Sequence, residues 1–409
     1  MLRSMSDYDV IIVGAGAAGI AAARRLREAG RTCVLLEARA RPGGRAVTDH
    51  SLDAPADLGA AWLHFADENA WTRLAEAAGC HVIRREPGWG PDTWIGAQPP
   101  TDEQRAAAAA NYQRYEMLIE AAAAQGRDVS VASVLPQDEY RPRFDGVMTW
   151  AVGVESRDVS TLDLARYADS RNNWAVREGL GTVVAHAAAG LDVALQTVVN
   201  AIHWAGPGVR VESTAGTLTA AAALVTVPTS VLAAGSIRFN PPLPTPWQQA
   251  AGNLPLGVAN KVFFALGPEC AATGEWRNFV GRADTSRTCT YTLFPAGQPL
   301  LVAYFGGDLS RELEARGELE NFARDELRGI FGAQFMTHLG AARSTAWGSD
   351  PYALGSYSAA RPGFADDRQT LARPVAPQLC FAGEACSSEH YGTLYGAWLS
   401  GRAAAESLL

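Results

Sequence analysis

Lysine is nearly absent from this chain. Of its 35 basic residues, 34 are arginine and one, Lys261, is lysine. The abundance of Ala, Arg and Gly points to a bias toward Arg. Under such a bias a surviving lysine marks a place where a planar fork does not substitute for a compact ammonium. Charge is scarce as well: 19% of the 409 residues are charged, with a net charge of −8. That balance excludes a nucleic-acid surface. Six cysteines, Cys33, Cys80, Cys270, Cys289, Cys380 and Cys386, show no CxxC pair and no regular spacing. They read as free thiols in a reducing compartment, and no metal site is expected. No uncharged apolar run reaches the roughly 18 residues of a spanning helix. The opening MLRSMSDYDV runs straight into a core strand, which leaves no room for a signal peptide, and the closing Ser407-Leu408-Leu409 carries no anchor tail. The expectation is a soluble cytoplasmic protein, monomer or homodimer, engaging neither nucleic acid nor membrane. What is plentiful is apolar material, 48% of the chain, enough for a large core and incompatible with disorder. The length suits two or three domains, or a nucleotide-binding domain with a second built into it.

Tyr8–Val13 (YDVIIV) reads as a buried parallel strand, short, continuous and β-branched. Gly14, Gly16 and Gly19 follow as GAGAAG, then an Ala-rich helix from about Ala17 to Ala29 that Gly30 ends. A second strand, Cys33–Leu36, closes the unit with Glu37 at its end. Gly14 permits the tight turn, Gly16 lets backbone approach a pyrophosphate, and Gly19 allows helix to pack on strand. The unpaired N–H groups at Ala17 and Ala18 then face phosphate with the positive end of the helix dipole. Glu37, 18 residues beyond Gly19, is placed to accept from ribose hydroxyls and disfavours a 2′-phosphate. After Ala38 comes Arg39-Ala40-Arg41-Pro42-Gly43-Gly44-Arg45. Its glycines let a loop pass close to a ligand, and its guanidinium groups can pair with phosphate or lie near a ring. Asp57-Leu58-Gly59-Ala60-Ala61-Trp62-Leu63-His64 lies further on.

The carboxyl end reads as a short strand (Cys380–Ala382), a Gly383-Glu384 turn, a loop through Gly392, and a helix from about Thr393. Small residues Gly396, Ala397, Ser400, Gly401 and Ala404 recur at helical spacing, which suits either a flat ligand or another helix. In the middle, Thr197–Trp204 and Val209–Val211 read as alternating strands about a Gly-Pro-Gly turn, followed by Ala223–Val227. The Pro-rich 241–246 reads as a crossover linker. Gly257–Phe264 is strand-like, and alternation puts Lys261 on the face of Phe263, where a lysine is costly unless paired. Ala346–Ser358 is an aromatic, turn-rich loop holding Trp347, Ser356 and Tyr357. The helical text from Glu103 to Ala124 places Tyr112, Tyr115 and Met117 on an apolar side, as core.

The RPGGR loop after the ribose-binding acid, with DLGA beyond it, resembles the N-terminal block of the flavin-containing amine oxidases. FAGE followed by YGTxxGAxxSGxxAA resembles that family's second flavin motif. The resemblance implies a non-nicotinamide cofactor, FAD, held by Gly14, Gly16, Ala17, Ala18, Gly19, Glu37, Ala38, Arg39, Gly43, Gly44, Arg45, Gly59, Ala60, Ala61 and Trp62. It adds Val199, whose backbone would meet the adenine, and Gly383, Glu384, Gly392 and Thr393 at the ribityl and pyrimidine side. It implies that Lys261 hydrogen-bonds through a water to flavin N5, that Trp347 lies near the ring, and that Tyr357 is one wall of an aromatic cage. The sequence departs from monoamine oxidases twice: Ser356 replaces the cysteine that holds their flavin covalently, so FAD is expected to be non-covalent, and Thr393 stands where their second cage aromatic falls. The half-open cage at Thr393, the WGSDPYxxGSYS stretch and the GTxxGAxxSG helix resemble the spermine/polyamine oxidase and histone-demethylase-like subgroup, and His64 matches a histidine of animal polyamine oxidases close to the substrate amine. The long helical tower of a chromatin-bound demethylase is lacking.

The implied fold is α/β: a discontinuous Rossmann-like FAD-binding domain (1–79, 186–242 and 373–409) with an α+β substrate-binding domain (80–185 and 243–372). This is the two-domain architecture of amine oxidases and p-hydroxybenzoate hydroxylase. The implied reaction is hydride transfer from an amine α-carbon to flavin N5, imine hydrolysis, and reoxidation by O2 to H2O2. A polyamine or another primary or secondary amine is the expected substrate, with Lys261, His64, Trp347, Tyr357 and Thr393 as catalytic residues. Glu155, Asp158 and Glu178 are candidates for a distal ammonium. The alternatives are an FAD desaturase or dehydrogenase, an L-amino-acid oxidase using one of the arginines, an NAD-dependent dehydrogenase, and a non-catalytic protein that retains FAD.

Overall fold

The computed structural model describes residues 7–267 and 274–409. The strand Tyr8–Val13 sits between two parallel neighbours, Cys33–Leu36 and Gly216–Val225. Its residues are consequently buried from both sides, and alternate ones feed two cores. Val10 and Ile12 pack with the helices Ala17–Glu28 and Leu394–Glu406, while Ile11 and Val13 pack with Ala250, Leu254 and Leu371. The full eight-stranded sheet runs Arg238–Asn240, Val199–His203, Val209–Ser213, Gly216–Val225, Tyr8–Val13, Cys33–Leu36, Val193–Ala194. Leu379–Phe381 joins it by pairing with the second half of Gly216–Val225. The chain ends meet because the helices Ala17–Glu28 and Leu394–Glu406 touch. A Cβ on Gly401 would lie 2.2 Å from the Ala18 carbonyl oxygen. Ion pairs Arg25–Glu406 and Arg402–Glu28 also join them, but exposed pairs contribute about 0–1 kcal/mol each, so the small-residue contact decides the packing.

A second, six-stranded sheet runs Leu339–Ser344, Ala259–Leu266, Leu300–Gly306, Thr290–Leu293, Arg277–Val280, Trp94–Ile95. Period-two alternation divides its faces. Val262, Phe264, Leu301, Ala303 and Phe305 pack beneath the helices Gly307–Arg316 and Leu319–Phe335. Phe263, Leu300 and Val302 point the opposite way, and Lys261 shares their face, as its alternation with Phe263 predicts.

The expected helix over 103–124 forms as Asp102–Ala124, closed by a reciprocal Thr101–Gln104 cap. Its three named apolar residues part company. Tyr115 is core, Tyr112 is half-buried, and Met117 is 54% exposed. At about 100° per residue, Met117 falls about 200° around the helix from Tyr115. The segment after Asn240 turns directly into a helix, Thr245–Asn253, that covers the large sheet, rather than serving as a bare linker. Cys33, Cys80, Cys289, Cys380 and Cys386 are free thiols; Cys270 lies outside the described residues. Among the described residues no helix is long and apolar enough to cross a membrane.

Candidate active site

One cavity of about 1660 Å³ is lined by both sheets. That exceeds the roughly 300–1,000 Å³ of an ordinary small-ligand pocket. Every residue named above as cofactor-binding or catalytic lines it, except Gly19. Gly19 lies beneath, where a Cβ would meet the Gly14 carbonyl oxygen at 2.1 Å, so it serves packing of helix on strand.

At one end the backbone leaves a slot for phosphates. Gly14 turns at φ +104° and donates to the Leu36 carbonyl at 2.8 Å. Gly16 begins the first helix with no side-chain cap, and a Cβ there would meet nothing within 4 Å. The first helical N–H groups therefore face open space, which is an anion site. Gly44, at φ +57°, closes the slot, with its added Cβ only 3.3 Å from the Gly16 Cα. Glu37 is buried at the strand end, accepting from the Ala15 amide at 2.8 Å and the Arg39 amide at 2.9 Å. Gly383 is open as well, with nothing within 4 Å of an added Cβ. Beside it the buried Glu384 accepts from the Gly392 amide (2.8 Å), the Ser358 hydroxyl (2.7 Å) and Arg45 (3.2 Å). Burial opposes the charge on Glu384, yet Arg45, Arg368 and these donors outweigh it and hold the carboxyl below its ordinary range. The Arg39 guanidinium is not free for phosphate: Asp350 takes both of its ends at 2.8 Å. An uncapped helix end, two open glycines and a buried acid at ribose height fit the expected FAD.

At the other end three successive carbonyls are gripped. Lys261 Nζ donates to the carbonyls of Asp57 (2.8 Å) and Gly59 (2.7 Å), and Trp347 Nε1 donates to that of Leu58 (3.1 Å). The third ammonium N–H has no partner among the described residues. Lys261 is half-buried and the cavity is what it faces. Burial drives its pKa down to about 8, against the Asp57 carboxylate. The Tyr357 hydroxyl donates to the Trp150 carbonyl at 2.5 Å, so the 2.7 Å contact with Tyr304 has Tyr304 as donor. His64 Nδ1 lies 2.6 Å from Asn173 Oδ1, the residue opposite it in the strand pair. An amide oxygen only accepts, so Nδ1 carries the proton and Nε2 the lone pair. Burial holds the imidazole pKa below its ordinary value. Thr393 lines the cavity at the start of the last helix. Its hydroxyl caps the last helix, accepting from the Gly396 amide at 2.9 Å and donating to the His390 carbonyl at 2.7 Å, so both functions are engaged locally.

The distal-ammonium candidates are corrected. Glu155 accepts from the Asp308 amide, Asp158 is an exposed partner of Arg157, and Glu178 accepts from the His81 amide; none lines the cavity. Beyond Glu37, Asp57 and Glu384, the acids that do are Glu86, Glu116, Glu120 and Asp169. Tyr112, Glu116 and Glu120 share one stripe of the helix Asp102–Ala124, a spacing visible in the sequence and overlooked there. Burial raises the Glu116 carboxyl. Sequence reasoning also missed Tyr304, Asn173 and the Trp62–Trp276 stack (5.7 Å), which no local motif marks. It missed the buried pair Arg368–Asp163, which lies behind Ser358 and Glu384.

The family model described as flavin containing amine oxidoreductase matches residues 95–409, and that of an NAD(P)-binding Rossmann-like domain matches 12–78. Polyamine oxidase 2 of Arabidopsis thaliana is 30% identical over 439 residues, covering 97% of this chain and 87% of that protein. Polyamine oxidase 4 of Oryza sativa subsp. japonica is 29% identical, covering 98% and 88%. Lysine-specific histone demethylase 1 homolog 2 of Arabidopsis thaliana is 29% identical, covering 99% of this chain and 59% of that one. Among solved structures, a putrescine oxidase bound to putrescine superposes with a TM-score of 0.82 at 21% identity, and cyclohexylamine oxidase from Brevibacterium oxydans IH-35A with 0.80 at 22%, each covering 98% of both chains. Likeness at that identity speaks for the fold. The sequence matches span the cavity's phosphate slot and its lysine alike, and on them the chain belongs to the flavin containing amine oxidoreductase family, with FAD as its cofactor.

Proposed function

We propose that the chain is an amine oxidase that takes a di- or polyamine, or another primary or secondary amine, and uses O2 as acceptor. The observation that carries the reading is the lone lysine: a desolvated ammonium with one N–H unpaired among the described residues, on the cavity wall with Trp347, Tyr304 and Phe263. The names of the plant relatives support the same substrate class. FAD would be held by the Ala17 and Ala18 amides at the pyrophosphate, Glu37 at the ribose, Arg45 with Gly383 and Glu384 along the ribityl chain, and Val199 at the adenine. The segments 1–79, 186–242 and 373–409 would form that binding domain, and 80–185 with 243–372 the substrate domain. Ser356 exchanges hydrogen bonds with the Ala259 backbone, and among the described residues no cysteine lines the cavity, which supports a non-covalent cofactor. When bound, FAD supplies the hydride acceptor for the C–H bond next to nitrogen and passes the electrons to O2, giving H2O2.

The chain's own residues do the rest. Alkylamines are protonated in water, so the site must favour the neutral form. Among Trp347, Tyr304 and Tyr357 a protonated amine loses the hydration of its N–H groups, which favours the neutral form. His64 Nε2, unprotonated and on the cavity wall, accepts the proton that the ammonium gives up. The Lys261 N–H that has no partner among the described residues would hold a water in the cavity. Glu116, Glu120 and Asp169 neutralise an ammonium further along the substrate. One observation favours a second reading: Arg143 lines the cavity and makes no ion pair among the described residues, which suits the carboxylate of an amino acid.

Anaerobic titration of the yellow protein separates these. Bleaching by putrescine or spermidine supports the proposal, bleaching by amino acids alone supports the second reading, and no bleaching by any amine refutes both. Peroxide release in air tests the acceptor.

A further inference from the structure

An aromatic wall is missing from the sequence at Thr393, and the hydroxyl there is engaged in capping a helix. The tertiary structure brings an aromatic to the same cavity from another strand. Tyr304 lies in Leu300–Gly306, directly across from Lys261 in the antiparallel register. Its neighbours Ala303 and Phe305 point into the helix-covered core, so alternation turns Tyr304 to the cavity face, which it lines. Its ring centre is 5.9 Å from Lys261 Nζ, and its hydroxyl donates to that of Tyr357 at 2.7 Å. Tyr357 donates in turn to the Trp150 carbonyl at 2.5 Å. Both hydroxyl hydrogens are thereby used, and the pair presents only lone pairs to the cavity.

We propose that Tyr304 is the second aromatic wall of the amine site and a specificity-determining residue. With Tyr357 it bounds the volume that receives the nitrogen, and the coupled hydroxyls accept an N–H while offering no donor. The site therefore selects amines that keep an N–H, primary or secondary, over tertiary ones. This deepens the amine oxidase reading and rests on it.

The test uses the FAD-loaded Tyr304→Leu and Tyr304→Phe variants. Two readouts are needed: anaerobic flavin reduction by a primary amine and by its N,N-dimethyl analogue, and flavin-absorbance titration with benzyltrimethylammonium, which has no nitrogen lone pair. Tyr304→Leu should bind that cation at least about tenfold more weakly, because one π-face is gone. Tyr304→Phe should bind it within about threefold but lose severalfold of the preference for primary over tertiary amine. Cation binding by Tyr304→Leu within about twofold of wild type overturns the proposal. If Tyr304→Leu fails to hold FAD, an unchanged primary-to-tertiary ratio in Tyr304→Phe overturns it. Should wild type be reduced by no amine, the functional reading falls, and the cation titration still decides whether Tyr304 is a wall.

Discussion

Breaking the Asp163–Arg368 pair from one side should damage the protein more than its replacement as a unit. The Arg368 side chain is wholly buried and that of Asp163 is 2% exposed. Arg368 Nε and Nη2 donate to the two carboxylate oxygens at 2.6 and 2.8 Å, and Nη1 donates to the Ser358 hydroxyl at 2.8 Å. The guanidinium also lies 3.8 Å over the Tyr391 ring, and Asp163 accepts from the Ala360 amide at 3.1 Å. Asp163→Leu leaves the buried guanidinium without its counter-ion and the Ala360 amide without its acceptor. Opposite charges near 4 Å interact by about 4 kcal/mol at an effective dielectric of about 20, and breaking a buried pair costs about 3–5 kcal/mol. A loss of that size lowers the unfolding midpoint by several degrees. The double variant Asp163→Leu/Arg368→Met should be less destabilised than the sum of the single variants, because neither leaves the other stranded. Ser358 passes its hydrogen to Glu384, so flavin release should precede or accompany unfolding in the single variants. Thermal and urea unfolding of the FAD-loaded protein, followed by tryptophan and flavin fluorescence, measures all of this. An Asp163→Leu midpoint within about 1 °C of wild type, or strictly additive singles, would refute the reasoning.

Four further outcomes are expected. Gly16→Val places a side chain where no protein atom lies within 4 Å, so the circular dichroism should be native while FAD affinity falls at least about 100-fold, measured by flavin absorbance. Lys261→Met should stay yellow and turn over more than about tenfold more slowly, since it removes the ammonium that faces the cavity. Folding depresses the Lys261 pKa from 10.5 to about 8, so between those values the unfolded chain binds more protons. The lysine's penalty on stability is thus full below pH 8 and fades as pH rises toward 10.5, and wild type should gain on Lys261→Met across that window in urea titrations, by no more than about 3 kcal/mol. Asn173→Leu removes the acceptor that fixes the His64 tautomer; kcat/KM for the amine should fall about tenfold with FAD still bound, and steady-state rates equal to wild type would contradict the role given to His64.

Local chemistry is what the sequence by itself determined. The strand Tyr8–Val13, its glycine turn, the following helix to within a residue, Cys33–Leu36 and Glu37 were all legible, because period, turn residues and caps act over a few positions. The lysine was legible because composition isolated it and alternation set its face. Contacts between distant segments were not. Which side chain stands across from Lys261 depends on the register of two strands some forty residues apart, and a slip of one residue would have sent Tyr304 into the helix-covered core. Arg39 looked free for phosphate because Asp350 is 311 positions away. Two acids of the cavity, Glu116 and Glu120, came from a helix stripe whose neighbour only the folded chain supplies, while Glu155, Asp158 and Glu178 found partners elsewhere. Short-range propensity is written in adjacent residues, whereas a site is assembled by loop closure and packing, and those answer to the whole chain at once.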